Sequence, residues 1–145
     1  MRTELHEIAA ERLLAKAQRY TPNRKTILRI LSESDRPLAL AEVLAAGKGR
    51  LAQSSVYRNL VVLESVGVVR KVAATDEFAR YELAEDLTAH HHHLLCVRCG
   101  VVEDFTLPEP IEKQVKSALD VAAHRSGFQG VHHRLDLVGT CARCA

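Results

Sequence analysis

The 145-residue chain has no tryptophan, three tyrosines, three phenylalanines and a single methionine. It has no apolar run approaching the roughly 20 residues that a membrane-spanning helix needs, and no signal-peptide core at its N-terminus. A membrane partner is therefore not expected, and the cytoplasm is the expected compartment. No H-E-x-x-H sequence occurs, which removes one familiar signature of a catalytic zinc. Cysteine is scarce as well, with four in the whole chain. What remains is 47% hydrophobic and 26% charged, a globular composition with length for one ordinary domain or two small ones.

The four cysteines are not scattered. Cys96 and Cys99 form one C-x-x-C pair, and Cys141 and Cys144 form another. Such a turn brings two thiolates within reach of one ion, and two turns complete the tetrahedral sulfur set of structural zinc. Two disulfides or a thioredoxin-like redox pair are the alternatives. The expected compartment and the lack of a βαβ pattern around the pairs weigh against both. Four histidines, His90 to His93, stand just upstream of the first pair. With a sulfur site complete on its own, they are left over as ligands for a second, more exchangeable metal. One locked metal and one exchangeable metal make a metal sensor.

The net charge of +2 hides an uneven distribution. Between Arg19 and Lys71 the basic residues are Arg19, Arg24, Lys25, Arg29, Arg36, Lys48, Arg50, Arg58, Arg70 and Lys71. Only Glu33, Asp35, Glu42 and Glu64 oppose them. From Leu87 onward acids and bases balance. A basic segment of this kind is a solvated face or the electrostatic footprint of DNA binding.

The basic segment reads as helices. Leu5, Ile8, Ala9 and Leu13 have helical spacing. Thr21-Pro22 is a helix start, with a capping hydroxyl and a proline where no N–H is needed. Ile27, Ile30 and Leu31 supply that second helix's apolar stripe, and Pro37 ends the segment. Leu40–Ala46 is a short third helix stopped by Gly47. A fourth opens at Gln53 or Ser54, carries Val56, Leu60 and Leu63 inward, and ends at Gly67. Two β-rich runs, Val68–Ala73 and Phe78–Leu83, follow around a polar turn at Thr75-Asp76-Glu77. Helix, turn, helix and hairpin is the winged helix-turn-helix order, whose second helix enters the major groove. The N-terminal turn of the fourth helix then exposes Gln53, Ser54, Ser55, Tyr57 and Arg58, which suit phosphate and base-edge contacts.

Beyond a hinge around Ala84–Ala89 the period changes. His90–Cys96 and Val101–Phe105 read as strands, Pro108 to about Ser126 as a helix, and Val131–Val138 as a third strand. The expected architecture is α+β. A winged helix-turn-helix over 1–84 is followed by a small α/β domain over 85–145 bearing the four-cysteine zinc site. On a strand, alternate side chains share a face, so His90 pairs with His92 and His91 with His93. The run could feed two sites. Further ligands are available at Glu82, Glu103, Asp104, Glu112, His132 and His133, with the last two expected on the final strand. A mixed histidine and carboxylate set fits zinc, iron or manganese. A zinc-dependent hydrolase is the competing class, but it needs an open coordination position and a base in a pocket, and the sequence has neither H-E-x-x-H nor a pocket-forming fold of sufficient size.

These motifs together resemble the ferric-uptake-regulator family of metal-dependent repressors. The likeness runs through Thr21-Pro22-Asn23-Arg24, Ser55-Val56-Tyr57-Arg58-Asn59-Leu60 and Arg80-Tyr81-Glu82-Leu83. It continues through His90 to Gly100 and from His132-His133-Arg134-Leu135 to Cys144, nearly the whole chain. The resemblance implies a homodimer that is not an enzyme and has no small-molecule substrate. Its partner would be a double-stranded DNA operator. It implies structural zinc at Cys96, Cys99, Cys141 and Cys144, and a regulatory metal at the hinge on Glu82, His91, His93 and Asp104. It also implies a second regulatory metal on His90, His92, Glu112 and His133, and DNA contacts centred on Tyr57, with Ser54, Ser55 and Arg58 beside it. The iron and peroxide branches usually carry a histidine before the third helix, where this chain has Arg36-Pro37-Leu38-Ala39. That difference favours zinc as the regulatory metal. Asp104 matches a carboxylate of the peroxide branch and keeps iron(II) or manganese(II) as the alternative.

Overall fold

The computed structural model describes residues 2–72 and 78–145. The expected turn at Thr75-Asp76-Glu77, and Ala73 before it, lie outside the described residues. Helix α1 spans Arg2–Ala15, α2 Pro22–Glu33, α3 Leu40–Ala46 and α4 Gln53–Ser65. Strands β2 (Val69–Val72) and β3 (Arg80–Leu83) form the hairpin. A two-residue strand, β1 (Leu38–Ala39), adds to the other edge of β3, so the sheet order is β1-β3-β2 and antiparallel throughout. Strand β1 has no sequence signature because two residues carry no period.

Local chemistry sets these boundaries. The Thr21 hydroxyl accepts the Arg24 N–H at 3.4 Å, and Pro22 occupies the first turn of α2. At the other end the Ser34 hydroxyl brackets Arg36 through its N–H and carbonyl, turning the chain towards Pro37. Glu42 accepts the Ala39 N–H at 3.2 Å, closing the start of α3 from its third position. Gly67, at φ +77°, turns the chain out of α4 into the hairpin. The core that results is aliphatic. Leu13, Ile27, Leu28, Val43, Val56, Leu60, Leu63 and Val68 are fully buried between the helices and the first sheet.

A short 3₁₀ turn, Glu85–Leu87, leads to the second sheet. It consists of β4 (His92–Cys96), β5 (Val102–Phe105) and β6 (Asp136–Gly139) in the order β5-β4-β6. β5 is antiparallel to β4 and β6 parallel to it. Helix α5, Glu109–Arg125, provides the crossover. Two strand expectations need correction. β4 starts at His92 rather than His90, and the last strand starts at Asp136 rather than Val131. The second follows from the first. β6 pairs with β4 from His93 onward, so residues before Asp136 have almost no strand edge to bond to. His132 and His133 therefore lie on an irregular segment, not on a strand.

The second sheet buries little. Its apolar cluster is Leu95 and Val102 with Val72 from the first sheet. Arg80 of β3 adds a buried hydrogen bond to the Gly100 carbonyl at 2.9 Å, next to the first cysteine pair. Helix α5 has no buried residue, and Ile111, Leu119, Val121, Leu137 and Val138 are exposed.

Candidate metal centres and nucleic-acid face

Among the described residues three groups of potential ligands assemble, each with one ligand atom per residue within 4.8 Å of the others. The first is Cys96, Cys99, Cys141 and Cys144. The tight turn after β4 delivers one pair, and the turn after β6 delivers the other beside it. Cys99 and Cys141 sulfurs stand 3.7 Å apart. The Cys141 N–H donates to the Cys96 sulfur at 3.3 Å, and this bond pulls the Cys96 thiol down to about 6. The hydrogen bond with Cys141 pushes the Cys144 thiol in the opposite direction. Four sulfurs held this close share protons awkwardly, and a thiolate-binding cation relieves that crowding.

The second group is Glu82, His91, His93 and Asp104. Glu82 comes from β3, Asp104 from β5 and the histidines from β4 and the residue preceding it. The Nε2 atoms of His91 and His93 lie 3.0 and 3.2 Å from the Glu82 Oε2. Their other ring nitrogens are held from behind. His91 Nδ1 faces the Ala89 carbonyl at 2.8 Å, and His93 Nδ1 faces Asp136 at 3.3 Å. Histidine ligands are commonly oriented this way, with one nitrogen fixed and the other free for a metal. Burial alone would raise the Glu82 pKa. The hydrogen bonds with His93 and His91 and the charge of Arg70 more than reverse this and hold it at about 2. Burial raises the Asp104 pKa, and its Oδ1 is buried with no hydrogen-bond partner. An ionised carboxylate beside an orphaned carboxylate oxygen and two aligned imidazoles fits a divalent cation.

The third group is His90, His92, Glu112 and His133. The Nε2 atoms of His90, His92 and His133 converge on the Glu112 carboxylate at 3.0, 2.8 and 2.7 Å. The hydrogen bond with His92 leads the causes that lower the Glu112 pKa. The odd and even histidines of the run thus separate as strand parity requires, although only His92 and His93 lie on the strand itself. His132 joins neither group and lines an adjacent cavity of about 500 Å³.

Three residues around these groups escaped the sequence reading. Arg70 pairs with Glu82 at 2.6 Å, Glu85 with His90 at 2.6 Å, and Asp136 with His93. Arg70 was findable in principle, because opposite charges often face each other across hairpin strands. Glu85 and Asp136 are brought in by tertiary structure and had no signal.

In the helical half, α4 presents Tyr57 at 57% exposure, with Ser54 and Arg58 also exposed. Its N-cap, Ala52, offers no side-chain hydrogen bond to the helix's first N–H groups. Ser55 differs from its neighbours. It is half-buried, and its hydroxyl accepts from Asn23 and Asn59, each at 3.2 Å. Arg24 bonds Asn59 at 2.9 Å. The Asn23-Arg24 pair at the head of α2 therefore fixes how α4 sits.

A helix-turn-helix with a wing, joined to a sheet that gathers histidines, carboxylates and thiols, defines a metal-responsive transcriptional regulator. The chain belongs to the ferric uptake regulator family, which matches residues 15–138. It is 30% identical over 129 residues to the peroxide-responsive repressor PerR of Staphylococcus aureus, spanning 87% of this chain and 82% of that one. Its fold matches the ferric uptake regulator Fur of Helicobacter pylori, a protein with three functional metal-binding sites. The TM-score is 0.79 at 20% identity, over 99% of this chain and 93% of that one. A zinc uptake regulator complexed with zinc and DNA matches with TM-score 0.57 at 25% identity, over 99% of this chain and 95% of that one. Among the described residues no helix is long and apolar enough to cross a membrane.

Proposed function

We propose that this protein is a cytoplasmic, homodimeric repressor of metal uptake that binds a double-stranded DNA operator when zinc loads its hinge cluster. Residues 1–84 form the DNA-binding unit and residues 85–145 the dimerisation and metal-binding unit. The observation that carries the reading is the mixed origin of the second ligand group. Glu82 belongs to the wing, whereas His91, His93 and Asp104 belong to the other unit. A cation held there favours whichever relative placement keeps the four ligands together, and differential affinity of this kind shifts a conformational equilibrium. Cys96, Cys99, Cys141 and Cys144 hold a structural zinc. His90, His92, Glu112 and His133 hold a second regulatory ion. Tyr57, Arg58 and Ser54 contact the operator together with the open N–H groups at the start of α4, while Ser55 orients the helix. The uncovered apolar residues of α5 and β6 supply a dimer interface.

Zinc is favoured because the hinge cluster has four ligands, the number zinc prefers. The adjoining cavity, where a further ligand would enter, adds Ser32, Ser34, Arg36 and Thr88 to the cluster's own Glu82, His91 and Asp104, and offers no second histidine. The second reading is an iron- or manganese-dependent peroxide regulator, supported by the likeness to PerR and by the Asp104 carboxylate. Fluorescence anisotropy on a labelled fragment upstream of the protein's own gene separates them. Binding switched on by buffered free zinc, and lost in His93→Ala, is the expected result. Binding that ignores zinc but rises with anaerobic iron(II) or manganese(II) overturns the zinc assignment.

A further inference from the structure

We propose that Arg70 and Glu85 join the two histidine clusters into one electrostatic unit, so that a cation in one lowers the affinity of the other. The inference rests on the reading that both clusters hold divalent cations. Arg70, on β2, lies directly across the hairpin from Glu82. Its Nε and Nη2 atoms both stand 2.6 Å from the Glu82 Oε1. Its Nη1 reaches the Glu85 Oε2 at 3.4 Å. The other oxygen of Glu85 lies 2.6 Å from His90 Nδ1, and His90 Nε2 faces Glu112 in the third ligand group at 3.0 Å. A continuous chain of polar contacts thus runs from Glu82 through Arg70, Glu85 and His90 to Glu112.

The side chains of Arg70, Glu82 and Glu85 are only 20%, 9% and 28% exposed, so solvent screens these contacts weakly. Arg70 is a built-in competitor for the Glu82 carboxylate. A divalent cation there repels the guanidinium, whose other anionic partner among the described residues is Glu85. A closer Arg70–Glu85 pair draws charge from the carboxylate that backs His90, and a less negative backing group makes His90 a weaker ligand. The sign is therefore negative coupling. Linkage requires the same factor in both directions, so a cation on His90 and Glu112 weakens the hinge site equally. The protein then responds to metal in two separated steps rather than one.

The test is a competitive titration of zinc against a chromogenic chelator, on the full-length protein with its sulfur site already loaded. His93→Ala and His133→Ala each leave one cluster and give its constant alone. In the otherwise unchanged protein the second cation is expected to bind about tenfold more weakly than these single-cluster constants require. In Arg70→Met, and separately in Glu85→Gln, that factor contracts towards one. Arg70→Met also tightens the hinge site, because its competitor is gone. A substitution that merely loosened the fold would weaken both sites. An unchanged factor in both variants, or weaker binding at both clusters in Arg70→Met, overturns the proposal. Zinc binding confined to the sulfur site sinks the sensor reading and this inference with it.

Discussion

The two halves of this molecule are held together by different physics. Up to Leu83, the chain is organised by carbon, with aliphatic side chains from four helices and a sheet closed around one another. Beyond it, only Leu95 and Val102 are buried apolar residues clustered together, and they borrow Val72 from the first half. The rest of the second half is organised by side-chain nitrogen, oxygen and sulfur gathered into three groups. A segment of this size has too little interior of its own to fold on burial alone, and in the proposed reading bound metal and the partner subunit supply what the core lacks. Hydrophobic packing is permanent, whereas ligand clusters depend on what the surroundings supply. On the proposed division of roles, the DNA-binding half is therefore constant and the sensing half conditional.

The contrast is open to experiment. The largest effect is expected on removing the sulfur site. Structural zinc contributes about 10–16 kcal/mol of apparent binding energy in small zinc domains. Stripping zinc with a strong chelator, or Cys141→Ser, should abolish amide hydrogen-exchange protection in β4, β5 and β6 while α2 and α4 stay protected. Uniform loss, or none, breaks the comparison. Next comes Leu60→Ala, which empties a fully buried site in the first half and should cost about 2–5 kcal/mol in denaturant unfolding. Zinc stoichiometry should not change. Arg58→Ala should cost about 1–3 kcal/mol of operator affinity while the zinc isotherm stays put. A shifted isotherm would mean that the halves are less separate than their packing implies.

The smallest effect probes a strut between the halves. Arg12 of α1 pairs with Asp86 in the 3₁₀ turn and holds its carboxyl below the ordinary aspartate range. A depressed carboxyl stabilises the fold above its unfolded pKa and loses that contribution as pH falls through the folded value. The pair is exposed, so Asp86→Asn should cost no more than about 1 kcal/mol near neutrality. The difference from the unsubstituted protein should vanish in acid below the aspartate range. A difference that persists there would assign the effect to packing instead of charge.

The sequence announced most of this where chemistry dictates spacing. Two C-x-x-C pairs can close one sulfur site, Thr21-Pro22 can start a helix, and alternate histidines must face opposite ways. It was silent where geometry depends on distant neighbours. Nothing local marks Leu38-Ala39 as a strand, because the edge of β3 makes it one. The Val131–Leu135 stretch looks extended but lacks a partner strand. Ser55 has the composition of a DNA-contacting residue, yet Asn23 and Asn59 draw its hydroxyl inward. Arg70 and Glu85 look like ordinary surface charges until the hairpin and the 3₁₀ turn bring them between two ligand groups.

The four adjacent histidines have one more consequence, for how such a gene can drift. Two sites are written into one uninterrupted run and told apart only by odd and even position. Because the four residues are identical, one more histidine codon leaves a histidine at every position, and loss of one empties a single position at the end of the run. A shift by one residue therefore exchanges nothing between the sites and costs one of them one ligand. Runs one histidine longer should then occur among relatives of this protein more freely than shorter ones, and an alignment of such genes would show it.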